Sequence, residues 1–328
     1  MEEDQHGIPL VVIVGPTAVG KTEVAIRVAL RVGGEVVSAD SAQVYRGMDV
    51  GTAKPTLEER RGVPHHLIDV VNPDYVFNVA EFQRLADEAI RQIHARGNLP
   101  MLVGGTGLYV KAVVDRYWFE PMPADQQLRH TLRQLARRRG AAWLHQQLAE
   151  IDPQAAARIH PNDLRRVVRA LEVYHRTGHP PSYWHRQRRP GPGYDVLMVG
   201  LNRPREELYA RINHRVDRMM ERGFLDEVRR LLDAGYDPRC YALQSLGYRE
   251  MIAHLRGEIP LEEAVRLFKR NVRRLAKRQL TWFRRDRRIR WIQMGHHMGV
   301  EGVVEEIVKM MAGKWPERVE YRPCSQAD

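Results

Sequence analysis

Cysteine is almost absent from this sequence: Cys240 and Cys324 are the only two thiols in 328 residues. One disulfide at most can form, so no disulfide framework holds the fold. The two positions fit no cysteine zinc site, and a reducing compartment is the simplest setting. Nowhere do 18 apolar residues follow one another, which excludes a membrane-spanning helix. Residues 1–6 are acidic, and the short apolar run at 8–14 ends in a glycine-rich turn, which describes a buried strand and not a signal peptide. Internal repeats and low-complexity tracts are missing too. What is left is a globular chain expected to be soluble and cytoplasmic, long enough for two folding units or for one core with an insertion.

Acidic residues run short in one part of the chain only. Lys+Arg number 52 and Asp+Glu 41, yet residues 1–120 hold 12 against 16, net −4, and residues 121–328 hold 40 against 25, net +15. Most of these cations are arginine, whose planar fork suits phosphate, so the second part fits a polyanion such as nucleic acid. A coat of arginines on solvated helices would give the same totals, and charge speaks to partners and not to fold.

Over the first 115 residues, short apolar runs alternate with amphipathic stretches, as in a parallel sheet with crossover helices. The periodicity predicts strands at 10–14, 35–39, 66–71 and 99–103, with helices at 22–32 and 79–96. After Pro121 and Pro123 the pattern turns helical and arginine-rich through 128–139, 142–150 and 164–176. Prolines and glycines at 190–193 lead into another strand-like run at 196–201. Helices at 205–222, 225–234, 246–256 and 261 to about 285 follow, with a last strand at 289–292. The expected fold class is α/β, with a parallel-sheet core from 1–120 and 196–312, a helical insertion domain at 121–195 and a tail at 313–328.

Gly15-Pro16-Thr17-Ala18-Val19-Gly20-Lys21-Thr22 matches G-x-x-x-x-G-K-[ST], directly after a predicted strand and directly before a predicted helix. This chemistry needs glycines so that backbone N–H groups can wrap a diphosphate, a helix N-terminus aimed at it, Lys21 as a point charge and the Thr22 hydroxyl for Mg²⁺. The core is therefore expected to be P-loop NTPase-like. The usual strand ending in an Asp for the metal is missing, because the strand at 99–103 runs into Gly104-Gly105-Thr106; Asp69 is the only obvious substitute. That weakens a motor and leaves a small kinase open. The second strand ends Ser38-Ala39-Asp40, and the carboxyl ends of parallel strands carry the reacting groups of α/β sheets, which makes Asp40 a candidate base. From position alone Asp40 also reads as a helix N-cap, and Thr106 has the same default.

Eight ordered blocks between residue 15 and about 285 resemble the tRNA dimethylallyltransferase (tRNA isopentenyltransferase) family: GPTAVGKT, SADSAQVYRGMDVGTAKPT, VPHHLIDV, GGTGLYVKA, RIHPNDLRRVVRALEVY, RVDRMMERGFLDEV, LGYREM and KRQLTWFRR. The resemblance implies transfer of a dimethylallyl group from dimethylallyl diphosphate to the N6 amine of the adenosine at position 37 of tRNA, with Mg²⁺ and without phosphoryl transfer. It implies that residues Gly15 to Thr22 hold the diphosphate, that Thr22 meets the Mg²⁺, that Asp40 takes the amine proton, and that Thr106 and Arg215 stand beside the reacting centre. Without the match, Arg215 reads as a surface partner on its helix. Contact with the tRNA anticodon stem-loop is implied for Asp40, Ser41, Ala42 and Gln43, for Arg129, for Arg165, Arg166, Val167, Val168 and Arg169, for Gln244, Ser245, Leu246, Gly247, Tyr248 and Arg249, and for Lys277, Arg278, Gln279, Trp282 and Arg284. Between 266 and 290 lie 12 Lys+Arg and one acid, Asp286, and Trp282 and Phe283 among them can stack on bases or fill a core. The bacterial form is the one resembled, since the zinc finger of some eukaryotic members has no counterpart after Pro323; a monomer is implied. A phosphate cradle of this kind would also accept ATP. The histidine pairs His65-His66 and His296-His297 read as no metal site, because neighbours on a strand diverge.

On the residues alone other readings stay open. In a small-molecule P-loop kinase, Asp40 would deprotonate an acceptor hydroxyl and Arg215 would clamp a γ-phosphate. An adenylate isopentenyltransferase shares the core motifs and acts on free nucleotide. Both leave the basic helices without a task, and a nucleic-acid-binding module without chemistry leaves the phosphate loop and Asp40 unexplained.

Overall fold

Six strands form one sheet: β1 (Ile8–Val14), β2 (Gly34–Ala39), β3 (His65–His66), β4 (Leu99–Gly104), β5 (Tyr194–Asn202) and β6 (Arg290–Gln293), in the order β3-β2-β4-β1-β5-β6. The structure is a computed structural model and describes residues 7–119, 124–187, 193–295 and 298–319. Every neighbouring pair of strands is parallel. Such a sheet needs apolar residues on both faces, and β1 supplies them. Leu10, Val12 and Val14 enter the core layer that includes helices Val79–Ala95 and Gly107–Val114, while Val11 and Ile13 enter the layer of helices Lys21–Val32 and Val300–Lys314. No helix of the described residues is long and apolar enough to cross a membrane.

Register brings the ends of three strands together. Val14 of β1 and Ala39 of β2 both pair with Gly104 of β4, so the segments that follow, residues 15–20, 40–46 and 105–106, leave the sheet side by side. Gly104 allows this approach: a Cβ there would lie 2.2 Å from the Ala39 carbonyl oxygen.

Three expectations change. The strand expected at 66–71 stops after His66, because Leu67 and Asp69 turn the chain at φ 63° and 57° and the Asp69 and Val70 amides donate to the Gln43 and Val44 carbonyls. The helix expected at 246–256 starts at Tyr248, where Gly247 (φ 90°) donates its N–H to Glu250 and caps the first turn. The tail expected from 313 is part of the core up to 319: helix Val300–Lys314 packs on Lys21–Val32, Trp315 Nε1 donates to Asp195 Oδ2 at 2.6 Å, and Val319 is buried. Residues 320–328 lie outside the described residues.

The chain divides into two compact units, residues 1–114 with 192–328, and residues 115–191. The helical unit thus begins before the expected 121, and β5 starts at Tyr194, inside the range expected for the insertion. Within this unit, helices Gln126–Arg139, Ala141–Ile151 and Leu164–Thr177 close around Leu132, Leu144, Leu148, Val167, Val168 and Leu171. Asp125 and Asp163 cap the first and last of them through the Leu128 and Arg166 amides. Glu172 is fully buried and accepts from Arg129 (2.9 Å), Arg169 (2.7 Å) and the Asp125 N–H (2.8 Å). Burial opposes its charge, yet these hydrogen bonds hold the carboxyl below its ordinary 4.5. Its stabilisation is complete above that value and is lost as pH falls through the lower folded one. Glu172→Gln is expected to cost about 1.5 to 3 kcal/mol in urea denaturation at neutral pH, because two charge-assisted hydrogen bonds to arginines that solvent still reaches are weakened, and the gap to wild type is expected to shrink as pH falls below the ordinary carboxylate range.

Candidate active site

Between β1 and helix Lys21–Val32, residues 15–20 form a loop whose carbonyl oxygens are taken by cations. Lys21 Nζ donates to the Gly15 and Pro16 oxygens at 3.0 and 2.9 Å, Arg211 Nε to Ala18 O at 3.0 Å, and Arg203 Nε to Val19 O at 2.9 Å. The donors left over are the amides at the start of the helix, which have no partner within it and attract anions. Arg215 Nη1 lies 3.5 Å from Thr17 Oγ1. Burial pulls the Lys21 ammonium down to about 7, with Asp40 pulling it back up and Arg215 pushing it further down. The Arg215 guanidinium is lowered by burial as well and raised by Asp40. Two cations crowd an anion-shaped loop, and a polyanion entering it relieves both.

Asp40 follows β2 directly. Its Oδ1 accepts the Ala42 N–H at 2.9 Å, and residues 41–44 are turns, so the helix-cap reading falls away. The other carboxylate oxygen makes no hydrogen bond among the described residues. Thr106 is also no side-chain cap: Oγ1 accepts the Ser41 N–H at 3.1 Å, while the Thr106 N–H donates to Ala39 O at 3.1 Å. The sheet thus brings the phosphate loop, Asp40, Thr106 and Arg215 to one edge. Asp69 is not with them. Its carboxylate pairs with the buried Lys54 at 2.5 Å, at the β3 margin of the sheet, which withdraws it as the metal-binding substitute.

The residues expected to touch RNA separate by burial. Arg165, Arg166, Arg169, Gln244, Arg249, Lys277, Arg278, Trp282 and Arg284 are exposed; Asp40, Ser41, Ala42, Arg129, Ser245 and Leu246 are half-buried. Val167 and Val168 instead fill the core of the helical unit, and Gly247 and Tyr248 are buried, the Tyr248 hydroxyl donating to Glu227 at 2.6 Å. Gln43 turns inward, its amide nitrogen reaching the Thr52 and Ala53 carbonyls and its oxygen accepting from Ser38. Gln279 turns inward to Thr17 and Gly105. Arg203, Arg211 and the buried Glu227, which accepts the amides of Asp49, Val50 and Gly51, were not marked by the sequence. For Arg211 the available signal was its place one helical turn before Arg215.

No group of three or more His, Cys, Asp or Glu that could hold a metal occurs among the described residues. His65 contacts Val63 O and His66 contacts Glu35, while His296 and His297 lie outside the described residues. The exposed Thr22 hydroxyl at the helix start suits a Mg²⁺ bound mainly by diphosphate oxygens, since this ion keeps its waters and takes few protein ligands.

The family model for IPP transferase matches residues 43–286, a span that begins beyond the phosphate loop. A tRNA dimethylallyltransferase from Symbiobacterium thermophilum is 57% identical over 311 residues, covering 95% of this chain and 97% of that protein. The crystal structure of the full-length tRNA isopentenylpyrophosphate transferase from Bacillus halodurans is 49% identical with a TM-score of 0.71, covering 94% of this chain and 97% of the other. A eukaryotic dimethylallyltransferase acting on tRNA, 27% identical, superposes with a TM-score of 0.80 over 97% of this chain and 82% of its own. With a family match over most of its length and relatives more than half identical across nearly all of it, this chain belongs to the IPP transferase family, that of the tRNA dimethylallyltransferases.

Proposed function

We propose that this chain transfers a dimethylallyl group from dimethylallyl diphosphate to N6 of the adenosine at position 37 of tRNA. The observation that carries the reading is the pairing of a phosphate loop, with Lys21 and Arg215 at it, and a carboxylate, Asp40, at the next strand end. The N6 lone pair attacks the allylic carbon as the carbon–oxygen bond breaks, and that bond's electron pair leaves with the diphosphate. The proton released from N6 passes to the Asp40 carboxylate. Charge grows on the diphosphate oxygens in this step, so Lys21, Arg215 and the helix-start amides act more strongly on the transition state than on the ground state. Mg²⁺ resting on Thr22 would neutralise part of the same charge.

A small-molecule kinase is disfavoured because it leaves the exposed Arg165, Arg166, Lys277, Arg278 and Arg284 without a task. A free-nucleotide transferase is disfavoured because Arg165 and Arg166 on one helix and Lys277, Arg278 and Arg284 on or just past another stand exposed, suited to a stem-loop backbone. Monomeric state, cytoplasmic location and ATP as a bystander ligand of the loop belong to the same reading.

Binding of an anticodon stem-loop is expected to weaken steeply with salt, and Arg165→Ala with Arg166→Ala to flatten the slope by about 0.7 to 0.9 for each phosphate no longer neutralised. Affinity for AMP exceeding that for the stem-loop would favour the free-nucleotide reading. Lys21 gives a second test. Its pKa near 7 in the free protein must rise toward 10.5 on the diphosphate, so binding takes up a proton above pH 7 and weakens as pH rises. Calorimetry of dimethylallyl diphosphate binding in buffers of different ionisation enthalpy at about pH 8.5 is expected to show uptake approaching one proton, and none with Lys21→Met.

A further inference from the structure

Helix Leu261–Phe283 exposes Lys277 and Arg278 near its end, but the next residue, Gln279, spends both ends of its amide on the strand-end loops. Oε1 accepts the Thr17 N–H of the phosphate loop at 2.8 Å, and Nε2 donates to Gly105 O at 3.0 Å. The partners fix which end is which: a backbone N–H can only donate and a carbonyl only accept. Glycine at 105 leaves room for this contact, since a Cβ there would lie 2.3 Å from Gln279 Nε2 and would push the amide off its partners. Gly105 is followed by Thr106, whose Oγ1 holds the Ser41 N–H beside Asp40. One side-chain amide therefore ties the cradle of the leaving group to the Gly105–Thr106 segment, which Thr106 in turn links to the loop of the proton acceptor.

Resting on the prenyl-transfer reading, we propose that Gln279 is a positioning residue, a strut that sets the distance between the diphosphate cradle and the Gly105–Thr106 segment, which in turn holds the Asp40 loop through Thr106 and Ser41, and is not itself an RNA contact. Displacement needs nucleophile, carbon and leaving oxygen in line at near-contact distance, and a misplacement of about 1 Å costs about 100-fold in rate. No other uncharged side chain of this length carries a donor and an acceptor on one planar group. Gln279→Met keeps the length and loses both bonds. Gln279→Glu keeps an acceptor for Thr17 and turns an acceptor on the Gly105 carbonyl.

The test is steady-state transfer by the full chain with a stem-loop and dimethylallyl diphosphate, together with thermal melting and the salt slope of stem-loop binding. The proposal expects kcat to fall about 30- to 100-fold in both variants, KM for each substrate to stay within about twofold, and the salt slope to stay unchanged. A kcat within twofold of wild type, or a raised stem-loop KM with kcat kept, overturns it in favour of an idle or an RNA-contacting side chain. Should Gln279→Met fail to fold, the kcat-against-KM split of Gln279→Glu decides; if neither folds, the amide serves the fold and the proposal is overturned. A wild-type protein that transfers nothing removes the functional reading and this inference with it, whereas active wild type with indifferent variants removes the inference alone.

Discussion

Asp40→Ala is expected to lower turnover by about 10²- to 10⁴-fold with stem-loop binding nearly unchanged, the range that loss of a positioned general base gives. Asp40 stands where β2 ends, with one carboxylate oxygen on the Ala42 amide and its charge felt by both Lys21 and Arg215. Substitution by alanine removes the turn contact as well as the base, so Asp40→Asn separates the two roles. Asparagine still accepts the Ala42 N–H and cannot take a proton. Turnover as low as that of the alanine variant assigns the effect to proton transfer; turnover near wild type assigns Asp40 to holding the turn. Single-turnover measurements with preformed enzyme–RNA complex check this, because they bypass any change in association.

Arg215→Ala is expected to lower kcat by about 10²- to 10³-fold, the cost of removing one preorganised donor at developing charge. The helix Arg205–Glu221 aims Arg215 at Thr17 while Arg211, one turn earlier, binds the Ala18 carbonyl. The two arginines differ in their contacts: Arg211 binds a loop carbonyl, whereas among the described residues Arg215 reaches only the Thr17 hydroxyl, which leaves its guanidinium available to a diphosphate under the proposed reading. Since charge on the diphosphate rises as the carbon–oxygen bond breaks, the loss should fall on kcat more than on KM for dimethylallyl diphosphate. Arg215→Lys should recover only part of it, as the charge survives but the planar fork does not. A loss confined to KM would make Arg215 a ground-state binder only.

Local signals made the phosphate loop legible, because its glycines, Lys21 and Thr22 sit between a strand and a helix that hydrophobic periodicity already marks. Asp40 was legible as a strand-end acid but not separable from a cap, since a cap and the turn actually formed both accept a backbone N–H a few residues on. The residues expected to contact RNA form contiguous blocks in the sequence, and a helix does not expose contiguous blocks. Arg165, Arg166 and Arg169 face out while Val167 and Val168 between them fill the core, and Gln279 turns in between exposed Arg278 and Trp282. Partners distant in sequence left no local trace. Glu227 holds the amides of Asp49, Val50 and Gly51 from about 180 residues away, and Arg203 reaches Val19 over a similar span. The strand expected at 66–71 failed for the same reason, its amides being claimed by the loop at 43–44.

The most direct measurement incubates the purified chain with Mg²⁺, dimethylallyl diphosphate and an unmodified anticodon stem-loop bearing adenosine at position 37, then reads the nucleosides by mass spectrometry. The account predicts a gain of one C5H8 unit on that adenosine and none when position 37 is another base. Modification of AMP with the stem-loop untouched, or of neither, would contradict it.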